Sequence, residues 1–187
     1  KVVGMSKDGN KDMALLFDKK VFSFPKPVSL VRHLINFIID KDTLILDFFA
    51  GSGTTADAVM QLNAEDGGNR EFILAQLPES IDKKKNKTAY DFVKNKLGQE
   101  NPTIFDITKG RIVRSAKKIV EDNNSSKNPK DLSEQDFGFK VFETTPIWDD
   151  YEIEAKEFSN NLQLFDETKL NDNDIKTLLI TWKTYDN

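Results

Sequence analysis

Between Pro27 and Leu77 the apolar positions change period twice. After Pro27, the residues Leu30, Leu34, Phe37 and Ile38 recur at helical spacing, which predicts a helix with a core-facing stripe. Asp40-Lys41-Asp42 ends that pattern. Thr43-Leu44-Ile45-Leu46-Asp47-Phe48-Phe49 then runs apolar and branched without alternation, as expected of a strand buried on both faces of a parallel sheet. Ala50-Gly51-Ser52-Gly53 is the turn leaving the strand. Thr54 to Leu62 is predicted helical, with Ala56, Val59 and Met60 free to pack on the sheet. After an acidic, glycine-containing turn from Asn63 to Arg70, a second strand is expected over Glu71 to Leu77, ending before Pro78. Strand, helix and strand at this length predict a parallel crossover, so the fold class is α/β.

Outside this unit the pattern is weaker. Residues 1–20 are polar and read as an entry loop with a short apolar interruption at Met13 to Phe17. Val21-Phe22-Ser23-Phe24-Pro25-Lys26-Pro27 is held extended by its prolines. Asp82 to Leu97 is amphipathic through Ala89, Phe92, Val93 and Leu97. Asn101-Pro102 and the run around Ile104 and Ile107 interrupt it. A helix over Gly110 to Val120 follows, with Ile112, Ala116, Ile119 and Val120 inward and its arginines and lysines outward. Asp122 to Asp131 is the clearest loop, and Gly138 to Glu143 alternates as a third strand near a sheet edge. From Trp148 onward the chain reads as short helices without a convincing core of their own.

Composition narrows the function classes. The chain has 187 residues, 38% hydrophobic and 31% charged, enough for one core. Having no cysteine excludes thiolate metal sites, disulfides and cysteine nucleophiles in this stretch, and with His33 as the single histidine a metal site would need oxygen ligands. No metal or catalytic residue is assigned. No apolar run approaches the roughly 20 residues of a membrane helix and no leader pattern opens the chain, so a cytoplasmic setting is expected. The net charge of -4 gives no support by itself for nucleic-acid binding. The basic stretches Lys83 to Lys87 and Lys109 to Lys118 read first as solvated helix faces.

The chemistry concentrates in Asp47-Phe48-Phe49-Ala50-Gly51-Ser52-Gly53-Thr54-Thr55. Glycines at 51 and 53, directly after a strand, permit backbone geometry and a close ligand approach that a Cβ would obstruct. Open α/β sheets usually bind small molecules at this end of their strands. Asp47 either caps the turn or faces the positive end of a bound cofactor. A dinucleotide fingerprint tolerates Ala56 at its third position, so a nicotinamide- or flavin-dependent oxidoreductase stays open on the turn alone. A P-loop does not, since no Gly-Lys-Ser or Gly-Lys-Thr occurs.

Phe22-Ser23-Phe24-Pro25-Lys26-Pro27, the turn from Asp47 to Thr55, and Gly67-Gly68-Asn69-Arg70-Glu71-Phe72-Ile73-Leu74 occur in that order. Together they closely resemble the amino-methylating DNA methyltransferases whose catalytic motif precedes the cofactor motif. Within that group the match is to the modification subunit of type III restriction-modification systems. Arg111-Ile112-Val113-Arg114 and Gly138-Phe139-Lys140-Val141-Phe142 extend the resemblance over most of the chain.

The resemblance implies a partial Rossmann-like, S-adenosyl-L-methionine-dependent methyltransferase sheet with helices on both faces. It implies a cofactor-binding part over 1–145 and a C-terminal extension over 146–187. In the implied pocket, Asp47, Phe49, Gly51 and Gly53 form the cofactor turn and Phe24, Pro25 and Lys26 the adjoining wall. Thr54 and Thr55 lie at the first helical turn, near the cofactor's carboxylate or as simple caps. The family commonly holds the ribose with an acid where this chain has Gln76, so Gln76 and Glu79 are both candidates. The Asp-Pro-Pro-Tyr type tetrad that transfers the methyl group is absent and is expected upstream of Lys1. This chain is therefore expected to be inactive alone, within a full-length enzyme that methylates adenine N6 in DNA. DNA and a restriction subunit are the implied partners, with homodimerisation left open. The rival from another class is a noncatalytic interaction or DNA-positioning module that retains the fold.

Overall fold

The computed structural model describes residues 4–144 and the isolated Lys176. The helices are α1 (Ser6–Phe17), α2 (Val28–Ile35), α3 (Thr54–Asp66), α4 (Lys87–Lys96) and α5 (Ile104–Asn124). The strands are β1 (Leu44–Asp47) and β2 (Glu71–Leu74). The chain divides into two units, Lys1–Gly138 and Phe139–Asn187, and the architecture below is that of the first. In the second, residues 139–144 carry no regular secondary structure, so the strand expected over Gly138 to Glu143 does not form. Val141 and Phe142 are exposed there, and alternation without a partner strand leaves the backbone ladder unmade. The helices expected after Trp148 lie outside the described residues.

The α/β expectation holds as a mixed fold with a two-stranded parallel sheet. Leu44 pairs with Glu71, Ile45 with Phe72, Leu46 with Ile73 and Asp47 with Leu74. Helix α3 supplies the crossover between the strands. On one side of the sheet, Ile45 and Phe72 pack on Val28, Val31 and Ile35 of α2 and on Ala58, Val59 and Leu62 of α3. On the other side Leu44, Leu46 and Phe48 of the β1 segment and Ile73 of β2 are all more than half exposed. The expected burial on both faces is not met, because α2 and α3 both pack on the same face.

Three other expectations change. Residues 6–17 form α1 instead of a loop, burying Met13 and Phe17 against Val21, Ile81, Phe92, Val93 and Ile107. Gly9, which made this stretch read as loop, is needed for packing: a Cβ there would overlap the carbonyl oxygen of Pro25. Helix α2 buries Val28 and Ile35, whereas Leu34, Phe37 and Ile38 are exposed. The helix packs through Val28, Val31 and Ile35, which leaves Leu34 on its exposed side, and it stops at Ile35, so Phe37 and Ile38 lie past its end. Helix α5 begins at Ile104, where Thr103 and Asp106 cap its first turn reciprocally, so Ile104 and Ile107 belong to the helix. Its Arg111 points inward and is fully buried, contrary to the outward placement expected of the basic residues. Arg114 lies over the rings of Phe17 and Phe92. Among the described residues no helix is long and apolar enough to cross a membrane.

Candidate functional site

The turn after β1 is built by two left-handed glycines, Gly51 at φ +53° and Gly53 at φ +75°. Both lie where a side chain is strained and a glycine is not. Gly53 caps α3 without any side-chain hydrogen bond to the helix N-terminus. The first-turn N–H groups of α3 are thus left for other acceptors.

The turn meets the segment around Pro25. Thr54 Oγ1 donates to the carbonyl of Lys26 at 3.2 Å, and the Gly51 α-carbon lies beside Phe22, whose ring a Cβ there would meet at 3.6 Å. Two segments separated by more than twenty residues of sequence are therefore in contact. Asp47, at the end of β1, accepts from Thr55 Oγ1 at 2.6 Å and from the Phe49 N–H at 3.0 Å. It does cap the turn, and each carboxylate oxygen keeps a lone pair to spare. Gln76 accepts from the Gly51 N–H at 2.7 Å and donates to the Leu77 carbonyl at 2.9 Å. Its amide oxygen is thereby engaged within the turn.

The other expected residues are less tied. Phe24 and Phe49 are 85% and 87% exposed, presenting aromatic faces without a contact that joins them. Pro25 is buried against α1 beside Gly9, and Lys26 is exposed at its side chain. Glu79 is exposed, and its backbone binds the N-terminus of α5 through a 2.8 Å bond from the Ile104 N–H to its carbonyl.

Sequence reasoning missed the layer behind the turn. Arg111 donates from Nη1 to Ser52 Oγ at 3.0 Å and to Thr54 Oγ1 at 2.9 Å, and from Nε to Asp57 Oδ2 at 3.0 Å. Thr108 Oγ1 lies 2.6 Å from the Gly51 carbonyl. The signal was Asp57, an acid between Ala56 and Ala58 on the buried side of a helix, which requires a cationic partner.

Residues 4–81 match the sequence profile of the DNA methylase family of N6 and N4 methyltransferases. The chain is similar to the type III restriction-modification enzyme StyLTI Mod subunit of Salmonella typhimurium, with 39% identity over 158 residues, 84% of this chain and 23% of that protein. It is similar to the EcoPI Mod subunit of Escherichia phage P1, with 40% identity over 173 residues, 91% of this chain and 24% of that protein. It is also similar to the type III restriction-modification enzyme EcoP15I Mod subunit of Escherichia coli, with 34% identity over 169 residues, 88% of this chain and 22% of that protein. The chain thus spans about a quarter of the length of these curated relatives.

Proposed function

The chain belongs to the DNA methylase family of type III modification subunits, and on that premise we propose that it supplies the S-adenosylmethionine-binding part of a site-specific adenine-N6 DNA methyltransferase. The observation that carries this reading is the contact between the segment around Lys26 and the glycine turn, made through Thr54. Two stretches of the region that matches the family form one surface at the carboxyl end of a parallel strand, where small-molecule ligands of α/β sheets bind.

The residues present fit such a cofactor. The exposed rings of Phe24 and Phe49 offer flat apolar walls for an adenine. The uncapped N-terminus of α3 offers backbone N–H groups to a carboxylate. Gly51 keeps the turn open to a close approach, and Asp47 holds negative charge beside it. The hydroxyls of Thr54 and Thr55 are bonded within the protein, so their proposed contribution is backbone donation. Gln76, whose amide oxygen keeps a second lone pair beside its bond from Gly51, and Glu79, whose carboxylate has no partner among the described residues, are both placed to hold the ribose. When bound, S-adenosylmethionine would supply an electrophilic methyl group. This chain's residues bind and orient it, residues 1–145 forming the cofactor part and 146–187 an extension. Acceptance of DNA, pairing with a restriction subunit and a cytoplasmic place of action belong to the full-length protein.

Calorimetry with S-adenosylmethionine and S-adenosylhomocysteine tests the reading. Both are expected to bind stoichiometrically. Gly51→Val, which puts a branched side chain at positive φ, is expected to weaken binding roughly tenfold or more. Equal binding by the variant sinks the site assignment. Binding of a nicotinamide or flavin dinucleotide instead moves the chain to an oxidoreductase. The apolar sheet face favours a second reading, a noncatalytic interaction module, which predicts no binding of either adenosyl compound.

A further inference from the structure

We propose that Thr108 and Arg111 of α5 are positioning residues, which hold the glycine turn in its ligand-receiving shape from behind. This rests on the reading of the turn as the cofactor site. The two residues are three apart on a helix and so share a face. Between them they engage the turn along its whole length: the Gly51 carbonyl by Thr108, and the Ser52 and Thr54 hydroxyls by Arg111. Thr54 in turn donates to Lys26, so the hold on the turn passes to the neighbouring segment. Gly53 allows α5 to come this close, since a Cβ there would lie 3.2 Å from the Thr108 carbonyl oxygen.

Burial of an ion-paired arginine is by itself weak evidence for a stabilising role. Arg111 is fully buried, ion-paired with Asp57 at 3.0 Å, and its Nη2 has no hydrogen bond of good geometry. Desolvating such a pair commonly costs as much as the pairing returns, and apolar side chains of similar volume often serve stability as well. What an apolar replacement cannot supply is a fixed direction for two hydroxyls and a backbone. A turn with two left-handed glycines has many alternatives to its binding shape. A rigid support removes the ordering cost from the binding step.

The test uses Thr108→Val, Thr108→Ser and Arg111→Lys, with S-adenosylmethionine calorimetry, thermal melting and amide exchange at Gly51 and Gly53. Thr108→Val is expected to lower affinity by about fivefold or more, and Thr108→Ser, which keeps the hydroxyl, to stay near the parent. A role confined to stability would move melting without separating the affinities. Arg111→Lys keeps the charge but not the fork, and is expected to lose roughly tenfold. Equal affinity for Thr108→Val and Thr108→Ser overturns the proposal, even if Arg111→Lys fails to fold. Should the parent chain bind no S-adenosylmethionine, the cofactor reading falls, and exchange decides the clamp separately. Faster exchange at Gly51 and Gly53 in Thr108→Val than in Thr108→Ser supports it, and equal rates overturn it.

Discussion

Asp66 is the residue whose protonation most clearly couples to the fold. It receives a bidentate hydrogen bond from the buried Arg70, at 3.1 and 3.0 Å, with further donation from the Gly68 N–H. Lys41 stands 3.3 Å away. The Arg70 hydrogen bonds, more than any other cause, hold its carboxyl down to about 2. Because the folded value lies below the unfolded one, the stability from this group is complete above about pH 4 and disappears as pH falls through about 2. Allowing for partial solvent screening, its size is roughly 1–2 kcal/mol. Asp66→Asn is therefore expected to be less stable than the parent at pH 6 by about that amount, with the two urea midpoints converging near pH 2. A constant gap across that window would remove Asp66 from the acid response. The same residue locks the link between α3 and β2, since Arg70 also binds Asn63 and opens the second strand.

At the scale of elements, α1 is set by one close approach. Gly9 lets the helix pack directly on the Pro25 backbone, and Gly9→Ala is expected to cost about 2–3 kcal/mol or more, because the nearest atom is backbone and cannot rotate away. A chemical-denaturation midpoint unchanged by Gly9→Ala would show that α1 can shift without loss. The example also explains what the sequence conceals. The strand, turn, helix and strand from Thr43 to Leu74 were legible because their period, their glycines and their lengths all agree. So was the meeting of the Pro-Lys-Pro segment with the turn, though only through family resemblance. Helix α1 was hidden because glycine and polar residues lower its local preference, and the compensating contact is made sixteen residues away. Arg111 was hidden because basic residues in an amphipathic helix ordinarily face solvent, and its burial depends on Asp57 in a different helix. Phe37 and Ile38 read as core because periodicity locates a stripe but not the residue at which a helix stops, and Leu34 because the face that packs is the neighbouring one of Val28, Val31 and Ile35.

For the whole molecule, the sheet is the feature that remains open. The Glu71 and Ala75 N–H groups donate to the carbonyls of Thr43 and Asp47, so the odd-numbered residues of β1 turn their backbone toward β2. Leu44, Leu46 and Phe48 then turn theirs to the opposite edge, and among the described residues no strand pairs there. Their side chains also form the bare apolar face. The amides of Leu46 and Phe48 in the isolated chain are expected to exchange far faster than those of Glu71 and Ala75, or else the chain is expected to self-associate through this surface. Strong protection of Leu46 and Phe48 in a monodisperse monomer would contradict this description of the edge. An unfilled edge makes mass action part of the molecule's heat tolerance. Any occupant that docks there only when the chain is folded adds about 2.7 kcal/mol at a hundredfold excess over its dissociation constant. The melting temperature of this chain would then climb with the amount of that occupant in the tube, and two laboratories working at different dilutions would measure different values for the same sequence.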